Sequence, residues 1–308
     1  MTFDELEKTR VVYKSKVAKI RNWAFAIATI ALVLLGFPAL RSGSGFAAFA
    51  ILFYIFFFIF IVTIIVIAFA TRKEAAAYSR AYKAYFVSRS LSATFSNVTY
   101  IPNQGMPYEV ISRTGMMYMG DRYNSNDFVS GNYKNISFCQ ADVHIEREDK
   151  DSDGDTTYVT TFRGRWMIFD FHRDFAFNLQ VAHKNFGSSR AYYGKGQRKF
   201  EKIEVESPTF NKKFVIYGQD GFEAFYILDP AFIERIEKLG DECGGRIMLC
   251  FINQKLHIAL YNGKDAFEPP RYSKPIDEKA EFEKVSHDIK AITNFVDDLN
   301  LDKNVFKK

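Results

Sequence analysis

FAAFAILFYIFFFIFIVTIIVIAFA, residues Phe46–Ala70, decides the architecture. The run has 25 residues and holds no Asp, Glu, Lys, Arg or His. As an α-helix it would extend roughly 37 Å, and a bilayer's hydrocarbon core is about 30 Å thick. Phe, Ile and Val fall on every face, whereas a helix with one wet side keeps a polar stripe. The run is therefore expected to span a membrane.

Trp23–Leu40, WAFAIATIALVLLGFPAL, lies just ahead of it. At roughly 27 Å it is shorter, yet it can cross with slight thinning or snorkelling. It exceeds the apolar core of a signal peptide, and no small-x-small cleavage site follows before the second run. Joined by Arg41–Gly45, the two runs form an expected helical hairpin with spans about 23–40 and 46–70.

Flanking charge orients this hairpin. Residues 1–21 carry Lys8, Arg10, Lys14, Lys16, Lys19 and Arg21 against Asp4, Glu5 and Glu7. Residues 71–90 carry Arg72, Lys73, Arg80, Lys83 and Arg89 against Glu74 alone, and the joining loop has only Arg41. The positive-inside rule then places both termini in the cytoplasm, with the cations facing anionic head groups. The three cysteines, Cys139, Cys243 and Cys250, show no framework spacing and suit a reducing compartment. The formal net charge of +5 sits largely at these flanks, so it does not read as a nucleic-acid footprint. The absence of ionisable groups inside the spans argues against a pump or transporter and for an anchor.

Downstream, the pattern predicts an α+β fold: the transmembrane hairpin, then a mostly antiparallel β-rich cytoplasmic domain with a few helices. The expected divisions are 1–73 for the arm and hairpin, 74–96 for a juxtamembrane helix, and 97–308 for the domain, with a subdivision near 200 as an option. Tyr78, Tyr82, Tyr85, Phe86 and Arg89 share one helix face, which either packs on the domain or lies among head groups. Residues 97–132 read as loop, with a short helix around Tyr108–Met119. Alternation predicts strands at Tyr133–Cys139, Asp142–Glu148, Thr156–Phe162, Trp166–Phe171, Asn178–Ala182, Lys202–Ser207 and Phe214–Gly218. Asp229-Pro230 opens a helix that Gly240 ends. Arg246–Asn253 and Lys255–Tyr261 read as two strands joined tightly at Asn253-Gln254. In a last helix, Asp277–Leu299, residues Phe282, Val285, Ile289, Ile292, Val296 and Leu299 form a heptad seam. That seam packs on the domain or meets a partner chain.

Candidate chemistry is sparse. Asp170, His172 and Asp174 would share one face of a strand and could serve as acid–base groups, although a solvated face fits the same pattern. Asp149, Asp151, Asp153 and Asp155, with Gly154, match the opening of a calcium loop, but the twelfth position is Thr160 and the flanks are strand-like. The histidines lack metal-ligand spacing, so no zinc site is expected. Tyr193–Arg198 is a basic glycine-containing loop without the Walker spacing, and no cofactor fingerprint appears.

The ordered segments Gly131–Glu146 (GNYKNISFCQADVHIE), Phe162–Phe171 (FRGRWMIFDF), Lys202–Pro230, Gly244–Leu260 (GGRIMLCFINQKLHIAL) and Phe267–Pro270 (FEPP) follow two N-terminal spans. In this order the chain resembles the bacterial membrane-protein family catalogued as domain of unknown function 3137. The resemblance implies a cytoplasmic-membrane protein with an α+β domain and supplies no substrate. A membrane-anchored binding or scaffold module is the expected function, with a protein partner or a second copy engaged by an edge strand or by the 277–299 helix. The alternatives are an enzyme acting on a membrane or envelope substrate and, more weakly, an oligomeric channel.

Overall fold

The computed structural model describes residues 1–41, 45–151, 154–184, 186 and 200–302, with the backbone alone at 32, 35–41, 45–49, 51, 52, 55, 171–177 and 223. It is α+β and divides into two units. One joins Met1–Val87 to Glu268–Glu281, and the other joins Ser88–Phe267 to Phe282–Lys308.

The first unit is helical. Helix α1 (Phe3–Arg41) runs beside α2 (Gly45–Ala70) and α3 (Arg72–Tyr82), and a π-helical turn follows at Lys83–Val87. Among the described residues no single helix is long and apolar enough to cross a membrane. The pair Phe56–Ala70 and Arg72–Thr94, bent by 54°, passes by length and composition. The first turns of α1 are amphipathic and buried at Leu6, Arg10 and Val17. Their cover is a strap, residues 268–281. Arg10 donates from Nε and Nη2 to the Glu7 carboxylate and from Nη1 to the Tyr272 carbonyl at 2.9 Å. Glu7 accepts the Ile276 N–H, Tyr78 donates to the Pro270 carbonyl, and Tyr82 donates to Glu281. Tyr78, Tyr82, Tyr85 and Phe86 are buried, so the aromatic stripe packs within the protein instead of lying among head groups. Two of the cations expected to face head groups are held by the protein itself: Arg10 is buried, and Lys16 pairs with Glu74 at 2.7 Å.

The second unit is a seven-stranded antiparallel sheet. It starts with α4 (Ser88–Thr94) and β1 (Ser96–Ile101), and then α5 (Tyr108–Ser112) precedes β2 (Arg122–Tyr133). Both strands lie in the stretch expected to be loop. The sequence of β2, RYNSNDFVSGNY, is too polar to read as a strand, and ladder partners on both sides hold it extended. The segments expected around 133–148 merge into β3 (Ile136–Lys150), and those from 156 to 182 into the 28-residue β4 (Thr156–His183). Next come β5 (Glu201–Ile203), α6 (Pro208–Lys213), β6 (Phe214–Gly218), α7 (Gly221–Ile227) and α8 (Pro230–Glu242). The expected turn at Asn253-Gln254 is absent. Strand β7 (Arg246–Tyr261) runs through it, with Asn253 at φ 53°, where the register against β4 shifts. The last helix, α9, is Glu278–Asp298.

The order is β1-β2-β3-β4-β6-β5, with β7 beside β4. The first half of β4 pairs with β3 and its end pairs with β6, while β7 follows both halves. The chain therefore does not divide near 200, because β4 and β6 share a ladder across that point. One sheet face carries Ala141, Val143, Ile145 and Trp166 into a core with Met106, Ile111, Met116 and Met117. By alternation Arg165 faces the other way, where it holds Asp288 of α9 at 3.2 Å. The heptad positions Val285, Ile289, Ile292 and Val296 are buried by the chain itself.

Gly120 shows how tightly the edge of this sheet is drawn. It has φ +62°, and a Cβ there would lie 2.2 Å from the Glu146 carbonyl oxygen. Gly120→Ala is expected to cost roughly 2–4 kcal/mol through strain and overpacking, read as a drop in melting temperature on the order of 10 °C.

Candidate functional site

The residues singled out in the sequence do not gather in one place. Asp170 stands opposite Lys255 across the β4–β7 ladder and pairs with it, both about half exposed. The side chains of His172 and Asp174 lie outside the described residues, as do Asp153 and the Tyr193–Arg198 loop. Asp149, Asp151 and Asp155 sit at the tip of the β3–β4 hairpin. There the Asp151 carboxylate accepts the Asp155 N–H at 2.8 Å and closes the turn. Among the described residues no three His, Cys, Asp or Glu side chains converge as a metal site would require.

The buried titratable groups are structural. Trp166 Nε1 donates to His257 Nδ1 at 3.2 Å, and burial lowers the imidazole to about 4, so it is neutral. Burial raises the Cys139 thiol to about 11 and raises Cys250 as well, which leaves both unreactive near neutral pH. Asp142, 1% exposed, accepts the Ala266 N–H at 2.5 Å, and burial lifts its carboxyl to about 7 despite nearby Arg165.

A concave surface lined by none of the candidate site residues singled out in the sequence lies between α7 and α8. Three caps build it. Ser207 Oγ accepts the Phe210 N–H to start α6, Asp220 Oδ1 accepts from Phe222 to start α7, and Asp229 Oδ1 accepts from Phe232 to start α8. Asn211 clips Val205 in place by donating to its carbonyl and accepting its N–H. Helix α7 buries Ala224 and Ile227 inward, and its outer face is apolar too: Phe222 is 86% exposed, with Phe225 and Tyr226 about half exposed. Beside it opens a cleft of about 510 Å³ floored by Val205, Phe225, Leu228, Pro230 and Ile233 and rimmed by Glu206, Glu234 and Glu237. The sequence reading passed over this element, since a seven-residue GFEAFYI gives no stable period. Three aromatics at i, i+3 and i+4 beside an inward Ala and Ile were the available signal.

A second exposed apolar surface belongs to the helical unit. Trp23, Phe25, Ile27, Ile30, Val33 and Leu34 of α1 are exposed, and so are Phe53, Phe56, Phe57, Phe58, Phe60 and Phe69 of α2. Soluble monomers seldom leave apolar surface open on this scale.

Comparison with known proteins gives a family without an activity. None of the curated proteins compared matches the chain. The crystal structure of the mycobacterial trehalose monomycolate transport factor A, TtfA, is similar at a TM-score of 0.36 and 9% identity, over 72% of this chain and 94% of that one. A likeness of this size supports no argument about function. A family model described as a protein of unknown function (DUF3137) matches residues 160–301. Those residues run from within β4 past the end of α9. Over residues 160–301 the chain is similar to the DUF3137 family of proteins of unknown function.

Proposed function

We propose that this protein is a membrane-anchored binding or scaffold module. The α1–α2 hairpin holds it in a cytoplasmic membrane, both termini lie in the cytoplasm, and the sheet unit engages a partner. The observation that carries the reading is the exposed apolar belt at Trp23–Leu34 and Phe53–Phe69. Water would charge about 25 cal/mol for each Å² of it left open, and lipid removes that cost. Helix α2 has 26 residues, about 39 Å, with no Asp, Glu, Lys, Arg or His. Lys8, Lys14, Lys19, Arg21, Arg72 and Lys73 are exposed at the cytoplasmic ends of the two helices, where anionic head groups would meet them.

Alkaline carbonate extraction tests the anchor. The chain is expected to stay in the membrane pellet and float with lipid. Phe57→Asp with Ile61→Asp, each costing roughly 2.5–3.5 kcal/mol at a span's centre, is expected to release it. Release of the unmodified chain by carbonate would refute the anchor.

A further inference from the structure

The cleft between α7 and α8 combines an apolar floor with unneutralised charge. Glu206 and Glu234 are exposed and have no ion-pair partner among the described residues. Glu237 accepts from the Thr209 hydroxyl at 3.5 Å and lies within electrostatic reach of Lys213, whose own ion pair is with Asp241. No Lys or Arg lines the cleft, although Lys213 and Lys238 nearby are each paired with an aspartate. The floor and the aromatics of α7 favour an apolar anchor in the ligand. The three carboxylates favour positive charge around that anchor and repel an anionic membrane surface. Helix α7 cannot turn its aromatics inward, because Ala224 and Ile227 already fill its inner face.

From this we infer that the α7–α8 cleft is the docking site for a partner protein's short segment that carries apolar or aromatic anchors flanked by lysine or arginine. The inference rests on the binding-module reading and names the surface and the partner's chemistry. Phe222, Phe225 and Tyr226 grip the anchors, since exposed aromatics dominate such contacts. Glu206, Glu234 and Glu237 select the flanking cations and set the salt dependence.

The test uses the full chain in nanodiscs of zwitterionic lipid, with empty nanodiscs as background. The probe is a fluorescent helical peptide about four turns long, with Leu and Phe on one face and Lys elsewhere, beside a twin in which every Lys is Glu. Saturable binding of the Lys peptide is expected, weakened roughly tenfold by Phe225→Ser and by the pair Glu234→Lys and Glu237→Lys. The Glu twin is expected to ignore the unmodified chain and to bind the charge-reversed one, a gain that misfolding cannot produce. The inference is overturned if both peptides bind the unmodified chain equally, if neither binds, or if the charge-reversed pair fails to switch preference. Carbonate extraction reads the anchor independently, so a chain that stays in the membrane and ignores the Lys peptide loses this inference alone.

Discussion

Replacing Arg10 by alanine is expected to free the 268–281 strap and destabilise the helical unit by about 3 kcal/mol, within the range for breaking a buried charge pair. Arg10 is buried, and its fork holds two parts of the chain at once: the Glu7 carboxylate and the Tyr272 carbonyl, 262 residues away. Its loss leaves the Tyr272 carbonyl without its donor and Glu7 without its cation. The Arg10 guanidinium holds the Glu7 carboxyl below the usual carboxylate range, with the Ile276 N–H adding to the effect. A depressed carboxylate stabilises the fold above its unfolded pKa and gives up that contribution as pH falls through the folded one. The difference between Arg10→Ala and the unmodified chain should therefore be full at neutral pH and shrink in acid below the ordinary Glu range. Hydrogen exchange over residues 268–281 reports it directly. Arg10→Lys should be intermediate, since an ammonium cannot reproduce the planar fork. Unchanged protection of the strap in Arg10→Ala would show that the Tyr13 ring, 4.4 Å from the Tyr272 ring, and the Tyr78 bond to the Pro270 carbonyl suffice.

Arg165→Met should cost the sheet unit roughly 3–5 kcal/mol by the same rule for buried pairs. Arg165 is 3% exposed, bonds the Asp288 carboxylate and main-chain carbonyl, and lies 5.4 Å from the Phe267 ring. It also lies within electrostatic reach of Asp142. Burial raises the Asp142 carboxyl in the fold to about 7 from its ordinary value of 3.8. The folded state thus binds the proton more tightly than the unfolded chain does. Stability from this group falls as pH rises from about 4 to about 7, by a few kcal/mol in order of magnitude. Two outcomes follow. Arg165→Met should be more damaging at pH 8 than at pH 5, because it removes the cation that makes the ionised Asp142 bearable. Asp142→Asn keeps an acceptor for Ala266, and it should gain stability at pH 8 while changing little at pH 4. Thermal melts across that range distinguish them, and a pH-independent effect of Asp142→Asn would contradict the account.

The sequence yields elements whose signal is local. Helix α8 starts where Asp229-Pro230 said it would, with the Asp229 carboxylate on the Phe232 N–H, and β6 occupies Phe214–Gly218. The heptad face of α9 predicts its buried side. What failed depends on partners far away in the chain. Strand β2 is mostly polar and becomes a strand only between β1 and β3. Asn253 looks like a hairpin residue, yet β4 beside it holds β7 as one strand with a local irregularity. The role of Arg10 as a clamp was invisible, because nothing near it in sequence announces Tyr272. The α7–α8 cleft was missed for a related reason. Its apolar side chains are ordinary singly, and only the folded geometry leaves them outside.

The strap also sets an order of manufacture. At about 5–20 residues per second, Tyr272 is polymerised on the order of tens of seconds after Arg10. Throughout that interval the first turns of α1 lack the strap whose Tyr272 carbonyl holds Arg10. A segment made well before its strap is thus among the last to be finished. A nascent chain stalled before Glu268 would present that uncovered helix face to chaperones and proteases, however well its sheet had already formed.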